Sequence, residues 1–263
     1  MSRDLKRKSP HSWEMALAFC PPEDSPLLGG PLEPEKQETV TEVQAEQKAV
    51  TRRYDRMAGV YDIYDAPMDW MGTRRRRRRL VAQVDGRVLE AGVGTGKNIP
   101  YYPTDAEVTG IDVSAKMLAR AEERARVLGR DVRLELADVT DLPYPDDSFD
   151  TTIATSVFCS VADPVAGLRA LGRVTKPDGR ILLLEHERPR NRVGGWLADV
   201  ATFLTRRIFG FNVNRRTEEN AMAAGLVLTE VERDGIWRTI IAEPPAAMSE
   251  RRLKSQSVTQ ERC

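Results

Sequence analysis

The sequence predicts an α/β fold: a mostly parallel sheet of seven strands with one antiparallel strand and helices on both faces. Short runs of β-branched and apolar residues alternate with segments of helical periodicity, which is the pattern of βαβ units. The last two runs are separated by Asp234-Gly235, a pair that favours a hairpin. The final strand is therefore expected to run antiparallel to the others.

The predicted elements follow one another in chain order. The predicted strands are residues 87–90, 107–111, 132–136, 149–155, 180–184, 226–231 and 237–241. The predicted helices cover Ser114–Leu128 and Val165–Val174, with an earlier one beginning near Pro67. These lengths suit strands joined by crossover helices.

Length and composition bound the domain organisation. A chain of 263 residues has room for one substantial domain with tails. Residues 1–50 are rich in Pro, Glu, Gln, Lys and Ser and are expected to form a disordered extension, and the polar residues 246–263 a disordered tail. The folded domain is expected over residues 51–245.

The net charge and the cysteines limit which partners and which cellular compartment are expected. Forty basic and forty acidic side chains cancel, so overall charge gives no argument for nucleic-acid binding. Cys20, Cys159 and Cys263 have no metal-ligand spacing, and we expect no metal site. No apolar run is long enough to cross a bilayer, and we expect a cytoplasmic protein, with peripheral membrane contact left open.

A glycine-rich loop follows the first predicted strand. Gly92, Gly94 and Gly96 allow a sharp turn and the close approach of backbone N–H groups to a ligand. The loop alone would also suit a dinucleotide. Asp112 closes the second strand about twenty residues later, where a carboxylate can accept from both ribose hydroxyls.

Two further acids stand at strand ends. Glu90 precedes the loop, and Asp138 closes the third strand, where it can accept from an exocyclic amine such as that of adenine. Each acid taken singly suits a helix cap equally well, but three at neighbouring strand ends favour a ligand site. Met117 suits an adenine cover and a helix core about equally.

Several segments together resemble the class I S-adenosylmethionine-dependent methyltransferases of the ubiquinone/menaquinone-biosynthesis and phospholipid N-methyltransferase type, which have a Rossmann-like sheet. The matching segments are Tyr54–Asp62, Val88–Asn98, Gly110–Leu118, Ala137–Tyr144, Asp147–Asp150 and Arg173–Arg180. The resemblance covers nearly the whole predicted domain. It implies S-adenosylmethionine as the cofactor.

The resemblance also implies roles for single residues. Glu90 and the glycines would hold the methionine end of the donor, Asp112 the ribose, and Asp138 with the Val139 backbone the adenine. Tyr54 and Tyr61 would lie on a helix covering the pocket, and Thr155 below the sulfonium. A nicotinamide-dependent reductase is the rival class, but no Tyr-x-x-x-Lys pattern follows the fourth strand.

Candidate acceptor-side residues follow strands four and five. His186 is a candidate general base that Glu185 would orient, although strand-end side chains are often satisfied structurally. Cys159 is a candidate substrate contact, with a buried apolar role as the alternative. Arg215 and Arg216 are candidates to meet a phosphate or carboxylate of the acceptor.

Two features indicate an amphipathic or lipid acceptor. The guanidinium groups of Arg74–Arg79 would repel one another on a helix, so they need anionic partners. Internal carboxylates, phosphate, an anionic membrane or RNA would supply them. Residues Val193–Phe209 have apolar residues at helical spacing with a tryptophan, which suits a core helix and an interfacial helix equally.

The acceptor stays open among several chemistries. We expect a small-molecule or lipid acceptor and no nucleic acid, with N-methylation of phosphatidylethanolamine as the leading hypothesis. C-methylation of a quinone precursor and S-methylation of a small thiol are the alternatives. A domain that binds the donor and acts as an assembly factor without turnover is a third class.

Overall fold

The computed structural model describes residues 34–189, 192–208, 212 and 214–245. Contacts divide the chain into two compact units, residues 1–41 and 42–263. The described part of the first unit is the start of a helix. Among the described residues, no helix is both long and apolar enough to cross a membrane. The predicted tail, residues 246–263, lies outside the described residues.

Seven α-helices and seven strands form the main elements of the described residues. The helices are α1 (Pro34–Met57), α2 (Tyr61–Met68), α3 (Arg74–Val81), α4 (Ala115–Leu128), α5 (Pro164–Val174), α6 (Arg192–Ile208) and α7 (Thr217–Ala223). The strands are β1 (Arg87–Ala91), β2 (Glu107–Asp112), β3 (Arg133–Leu136), β4 (Phe149–Thr155), β5 (Thr175–His186), β6 (Val227–Asp234) and β7 (Trp237–Glu243).

The strands form one sheet in the order β3-β2-β1-β4-β5-β7-β6. The pairs among β1 to β5 are parallel, and β7 pairs antiparallel with both β5 and β6. The predicted sheet is therefore confirmed. The antiparallel strand is the last in the chain, but it lies between β5 and β6 rather than at the sheet edge.

Strand β5 shows why its sequence is continuously apolar. Residues 181–184 are fully buried, because helices cover both faces of the sheet. Ile181 and Leu183 join the cluster that contains α5 residues, whereas Leu182 and Leu184 join the cluster that contains Leu80 of α3. The alternation places two cores on opposite faces of one sheet.

Side-chain caps fix where the helices after β2 and β4 begin. The Ser114 hydroxyl accepts from the Met117 N–H at 3.2 Å, and the Asp163 carboxylate accepts from the Ala166 N–H at 2.9 Å. Gly129 ends α4 with φ +61°, a left-handed conformation that favours glycine. These caps start both helices at the carboxyl edge of the sheet.

The structure corrects the predicted start of the folded part. Helix α1 begins at Pro34 and continues to Met57, so the expected boundary between residues 50 and 51 falls inside a helix. Val50 is buried, with 5% of its surface exposed. The polar composition of residues 34–49 concealed the helix, because it lacks the apolar stripe that usually marks one.

The early arginine helix also differs from the prediction. The chain is helical from Tyr61, and a π-helical turn at Asp69–Thr73 separates α2 from α3. Gly72, with φ +103°, breaks the helix there. The arginine run then starts α3 instead of lying inside a helix that begins near Pro67.

Internal carboxylates partner half of the arginine run. Arg76 pairs with Asp234 of β6, and Arg79 pairs with Glu232 of the same strand. Arg77 is buried and lies 4.0 Å from Asp69. Internal acids, one of the four partner classes considered for this run, therefore lie near three of its six arginines.

Candidate active site

A cleft lies at the carboxyl edge of β1, β2 and β4, under α1 and α2. It encloses about 840 Å³, open to solvent. Eight of the predicted cofactor-binding residues line it, namely Tyr54, Tyr61, Gly92, Gly94, Asp112, Met117, Val139 and Thr155. Sheet topology explains the convergence, because β1 is where the strand order reverses and such switch points form crevices.

The surroundings of the three loop glycines differ in how much room they leave for a side chain. All have positive φ, and a Cβ on Gly92 would lie 2.5 Å from a Val157 methyl carbon. A Cβ on Gly96 would lie 2.6 Å from the Ile99 side chain, so Gly96 serves packing and does not line the cleft. Gly94 has no atom within 4 Å of that position and faces open space. Gly94 is therefore the loop residue that leaves room for a ligand.

Two backbone hydrogen bonds orient the Asp112 carboxylate at the end of β2. Its two carboxylate oxygens accept from the Gly94 N–H and the Ser114 N–H, each at 2.9 Å. Burial raises the pKa of Asp112 to about 6, although these backbone donors oppose the shift. Each carboxylate oxygen retains a second lone pair that can accept from a hydroxyl in the cleft.

Glu90 lies beneath the cleft and not on its wall. Its carboxylate accepts from the Asn98 side-chain amide at 2.6 Å and from the Tyr102 hydroxyl. Burial raises the pKa of Glu90 to about 7, and the nearby Arg77 cation partly offsets this rise. Glu90 therefore supports the loop, and its direct contact with a donor stays a prediction.

Asp138 takes part in a local turn. Its carboxylate accepts from the Thr140 N–H at 2.9 Å and from the Thr140 hydroxyl at 2.8 Å. Its neighbours Ala137 and Val139 line the cleft, whereas Asp138 does not. Among the described residues, no helix directly follows Asp138, so it does not form the helix cap weighed from sequence; it stabilises a turn instead, and the adenine contact stays a prediction.

Sequence reasoning missed two cationic side chains on the cleft wall. Arg77 and Lys97 both line it. Lys97 pairs with Asp69 at 2.9 Å and lies over the Tyr61 ring. Arg77 is only 6% exposed, and its Nε has no hydrogen-bond partner among the described residues. Nothing in six consecutive arginines distinguishes the one that turns inward, except its spacing from Leu80 and Val81.

Side chains of α1 and α2 fasten these helices over the cleft. The Tyr54 hydroxyl lies 2.5 Å from the Ser160 hydroxyl, and Asp55 accepts from the Ser114 hydroxyl at 2.6 Å. Asp62 accepts from the Thr95 hydroxyl and pairs with Arg124. Tyr54 and Tyr61 thus cover the cleft from two helices, where one covering helix was expected.

The predicted catalytic pair lies behind the cleft wall. Glu185 is fully buried and accepts from the backbone N–H groups of Val157 and Phe158 at 2.8 and 3.1 Å. Burial raises the pKa of Glu185 to about 7 and lowers that of His186 to about 4. Neither side chain lines the cleft. The general-base role of His186 stays a prediction.

The predicted substrate contacts are also set back from the cleft. Cys159 is buried, and burial raises the pKa of its thiol to about 12. Arg215 donates to the Val161 carbonyl at 2.8 Å. Arg216 is exposed and pairs with Glu219. Ser160, the neighbour of Cys159 and a candidate acceptor-side residue from sequence, does line the cleft.

Comparisons with known proteins agree with this geometry. The family described as "Methyltransferase domain" matches residues 89–183. The phosphatidylethanolamine N-methyltransferase of Cereibacter sphaeroides is 38% identical over 146 residues, covering 54% of this chain and 70% of that protein. The ubiquinone/menaquinone biosynthesis C-methyltransferase UbiE of Bdellovibrio bacteriovorus is 39% identical over 116 residues, covering 41% of this chain and 49% of that protein.

Solved structures share the fold. The [4+2]-cyclase SpnF is similar with a TM-score of 0.53 at 23% identity, covering 65% of this chain and 80% of that chain. A methyltransferase structure determined with the Haloferax volcanii Trm112 activator has a TM-score of 0.57 at 18% identity, covering 73% of this chain and 97% of that chain. By sequence identity over most of a relative's length, and by the matching domain family, this chain belongs to the class I S-adenosylmethionine-dependent methyltransferases.

Proposed function

We propose that this methyltransferase binds S-adenosylmethionine in the cleft under α1 and α2 and N-methylates phosphatidylethanolamine at a lipid surface. The observation that carries the acceptor is the 38% identity to a phosphatidylethanolamine N-methyltransferase over 70% of that relative's length. The donor site rests on the eight predicted residues that line one cleft.

Arg77 and the glycine loop suit the methionine end of the donor. A buried guanidinium without a close carboxylate is costly, and its nearest acid, Asp69, is 4.0 Å away and shared with Lys97. The donor's α-carboxylate offers a planar anionic partner that a guanidinium binds through two hydrogen bonds. Asp112 then receives the ribose hydroxyls, and Met117 and Val139 cover the adenine.

Methyl transfer to an amine is an in-line displacement at an already activated carbon. The protein's main task is to hold the neutral acceptor nitrogen in line with the carbon–sulfur bond. Thr155 and Ser156, at the end of β4, line the part of the cleft next to β5. Ser156 has φ +58°, an uncommon conformation for a non-glycine residue and one that recurs at functional sites.

Helix α6 presents the surface on which a lipid acceptor would be met. Val193, Trp196, Val200 and Phe203 are 70, 62, 53 and 75% exposed, and their spacing places them on one stripe. The opposite face packs inward through Gly195, Ala198 and Thr202. Among the α6 side chains that the structure describes, small residues lie inside and large apolar residues outside, which reverses the usual pattern and suits an interfacial helix.

C-methylation of a quinone precursor is the second candidate. Relatives that are 30–39% identical are named as ubiquinone/menaquinone biosynthesis C-methyltransferases or demethylmenaquinone methyltransferases. Such acceptors are also amphipathic, so the exposed stripe of α6 suits both. The two candidates differ in the atom that receives the methyl group.

In the test, the purified full chain is incubated with labelled S-adenosylmethionine and one of three acceptors. The acceptors are phosphatidylethanolamine vesicles, a demethylated quinone in vesicles, and a small thiol. We expect monomethylated phosphatidylethanolamine, identified by mass spectrometry. Labelled quinone or thioether alone would replace the proposed acceptor. Donor binding with no product from any acceptor would favour a binding protein without turnover.

Gly94→Ala and Gly129→Ala form a matched pair of variants for this assay. Both glycines have positive φ and no atom within 4 Å of the position that a Cβ would take, so the backbone strain is similar. Only Gly94 lines the cleft. Gly94→Ala should lose turnover and Gly129→Ala should keep it. Equal loss in both would point to strain and remove Gly94 from the site.

A further inference from the structure

Three potential metal ligands meet behind the cleft wall. One ligand atom each from Cys159, Glu185 and His186 lies within 4.8 Å of the other two. All three residues are buried, with exposures of 4, 0 and 8%. Cys159 follows β4, and the other two end β5, the neighbouring parallel strand. The fold thus joins a sulfur, an oxygen and a nitrogen ligand from two separate segments of the chain.

Only one of the two Glu185 carboxylate oxygens accepts hydrogen bonds from described residues. The oxygen Oε1 accepts from two backbone N–H groups, whereas Oε2 has no hydrogen-bond partner among the described residues. A fully buried carboxylate oxygen without a donor costs free energy unless a proton or a cation meets it. The Arg215 cation acts on Glu185 electrostatically, but within the described part of the chain no arginine or lysine forms an ion pair with it. A small cation between the three groups would supply the missing partner.

We propose that Cys159, Glu185 and His186 bind a divalent cation of the Zn²⁺ class. Thiolate, imidazole and carboxylate are the ligands that Zn²⁺ takes in proteins, and three of them leave a fourth position open. Three atoms at most 4.8 Å apart surround a point less than about 2.8 Å from each, so modest closure reaches bond lengths of roughly 2.0–2.3 Å. Binding displaces the Cys159 thiol proton to solvent, and sulfur then coordinates the cation as a thiolate.

The site would adjoin the methyl-transfer cleft. Ser160, next to Cys159 in the chain, lines the cleft and lies 3.6 Å from the Cys159 sulfur. A cation held there would also fix the backbone after β4, because Glu185 binds the N–H groups of Val157 and Phe158. The proposal does not depend on the acceptor, since metal binding is measured without turnover.

The test uses the full chain after chelator dialysis and adds Co²⁺ alone, whose bonds to thiolate give a charge-transfer band in the near ultraviolet. We expect one equivalent of Co²⁺ to develop this band and Zn²⁺ to displace it. The Cys20→Ser/Cys263→Ser double variant is the matched control, because it leaves Cys159 as the only cysteine. It should keep the band.

Cys159→Ser should lose the band, and Glu185→Gln should weaken Co²⁺ affinity by at least about tenfold. A band that survives in Cys159→Ser, or that vanishes in the double variant, would assign the metal to other cysteines and overturn the proposal. No band in the parent chain would overturn it as well. If Cys159→Ser does not fold, the midpoint of thermal unfolding is measured with and without Zn²⁺ in the parent and in Glu185→Gln. The proposal requires that Zn²⁺ raises this midpoint in the parent and not in Glu185→Gln.

Discussion

Arg77 is the residue that most directly tests the donor site. Removing its charge while keeping a polar side chain, as in Arg77→Gln, should weaken S-adenosylmethionine binding about 10- to 100-fold, because a hydrogen bond to a charged group contributes about 1.5–3 kcal/mol. Calorimetric titration measures the change. The loss should be largest for ligands that carry the methionine carboxylate.

Arg78→Gln is the matched control for Arg77→Gln, because Arg78 is the next residue of the same helix and is exposed. It should bind the donor as the parent does. A second comparison uses 5′-methylthioadenosine, which lacks the amino-acid part: its affinity should be equal in the parent and in Arg77→Gln. Normal donor affinity in Arg77→Gln would remove this residue from the site.

Asp112 makes donor binding depend on pH. Burial raises its pKa to about 6, and only the ionised carboxylate accepts from both ribose hydroxyls. Donor affinity should therefore fall as the pH drops below about 6, by up to about tenfold per pH unit. Asp112→Asn should bind weakly at every pH and show a flatter profile between pH 5 and 7. Parallel profiles for the two proteins would contradict the role.

Residues at strand ends were predictable, but residues that turn inward from a helix were not. Gly94 and Asp112 stand at fixed positions after parallel strands, so sheet topology brings them together. Arg77 lies in a uniform arginine run, and its inward orientation depends on how α3 docks on the sheet. Cys159 and His186 were expected near each other after strands four and five, but their distance in sequence gave no metal-ligand spacing.

At the scale of elements, α6 allows a test of membrane contact. Trp196→Ser/Phe203→Ser should reduce co-sedimentation with phosphatidylethanolamine/phosphatidylglycerol vesicles severalfold, because it removes the two largest side chains of the exposed stripe. Val127→Ser/Met222→Ser is the control, since those side chains are also exposed but lie on α4 and α7. Equal binding by all three proteins would remove α6 as the lipid-facing element.

Elements with strong periodicity were predicted well. Helix α4 was placed within one residue, because a capping serine leaves a clear signal. The apolar run 180–184 lies inside β5, which begins five residues earlier at Thr175. The expected disordered extension, residues 1–50, did not anticipate helix α1, which begins at Pro34. This helix carries mostly polar residues, and Val50 is buried while Tyr54 lines the cleft.

For the whole molecule, Glu90 links stability to pH. Its folded-state pKa of about 7 exceeds the ordinary value of 4.5, so the folded protein binds this proton more tightly than the unfolded chain does. Its contribution favours folding below pH 4.5 and is lost as the pH rises to about 7, a change on the order of 3 kcal/mol.

Glu90→Gln should flatten that decline, because glutamine is neutral at every pH and can still hydrogen-bond Asn98 and Tyr102. Urea unfolding at pH 5 and pH 7 measures the free energy of unfolding in each protein. The exposed Glu107→Gln is the control and should decline as the parent does. A decline in Glu90→Gln as steep as the parent's would contradict this account.

The contacts that hold α1 and α2 over the cleft imply a cost at every catalytic cycle. Asp55–Ser114 and Asp62–Arg124 join these helices to α4, so any widening of the cleft would break contacts of this kind. Product release should then be the slow step, and it should speed up with ionic strength because the Asp62–Arg124 pair is partly exposed. The turnover rate would then be set by the release of S-adenosylhomocysteine and not by the methyl-transfer step.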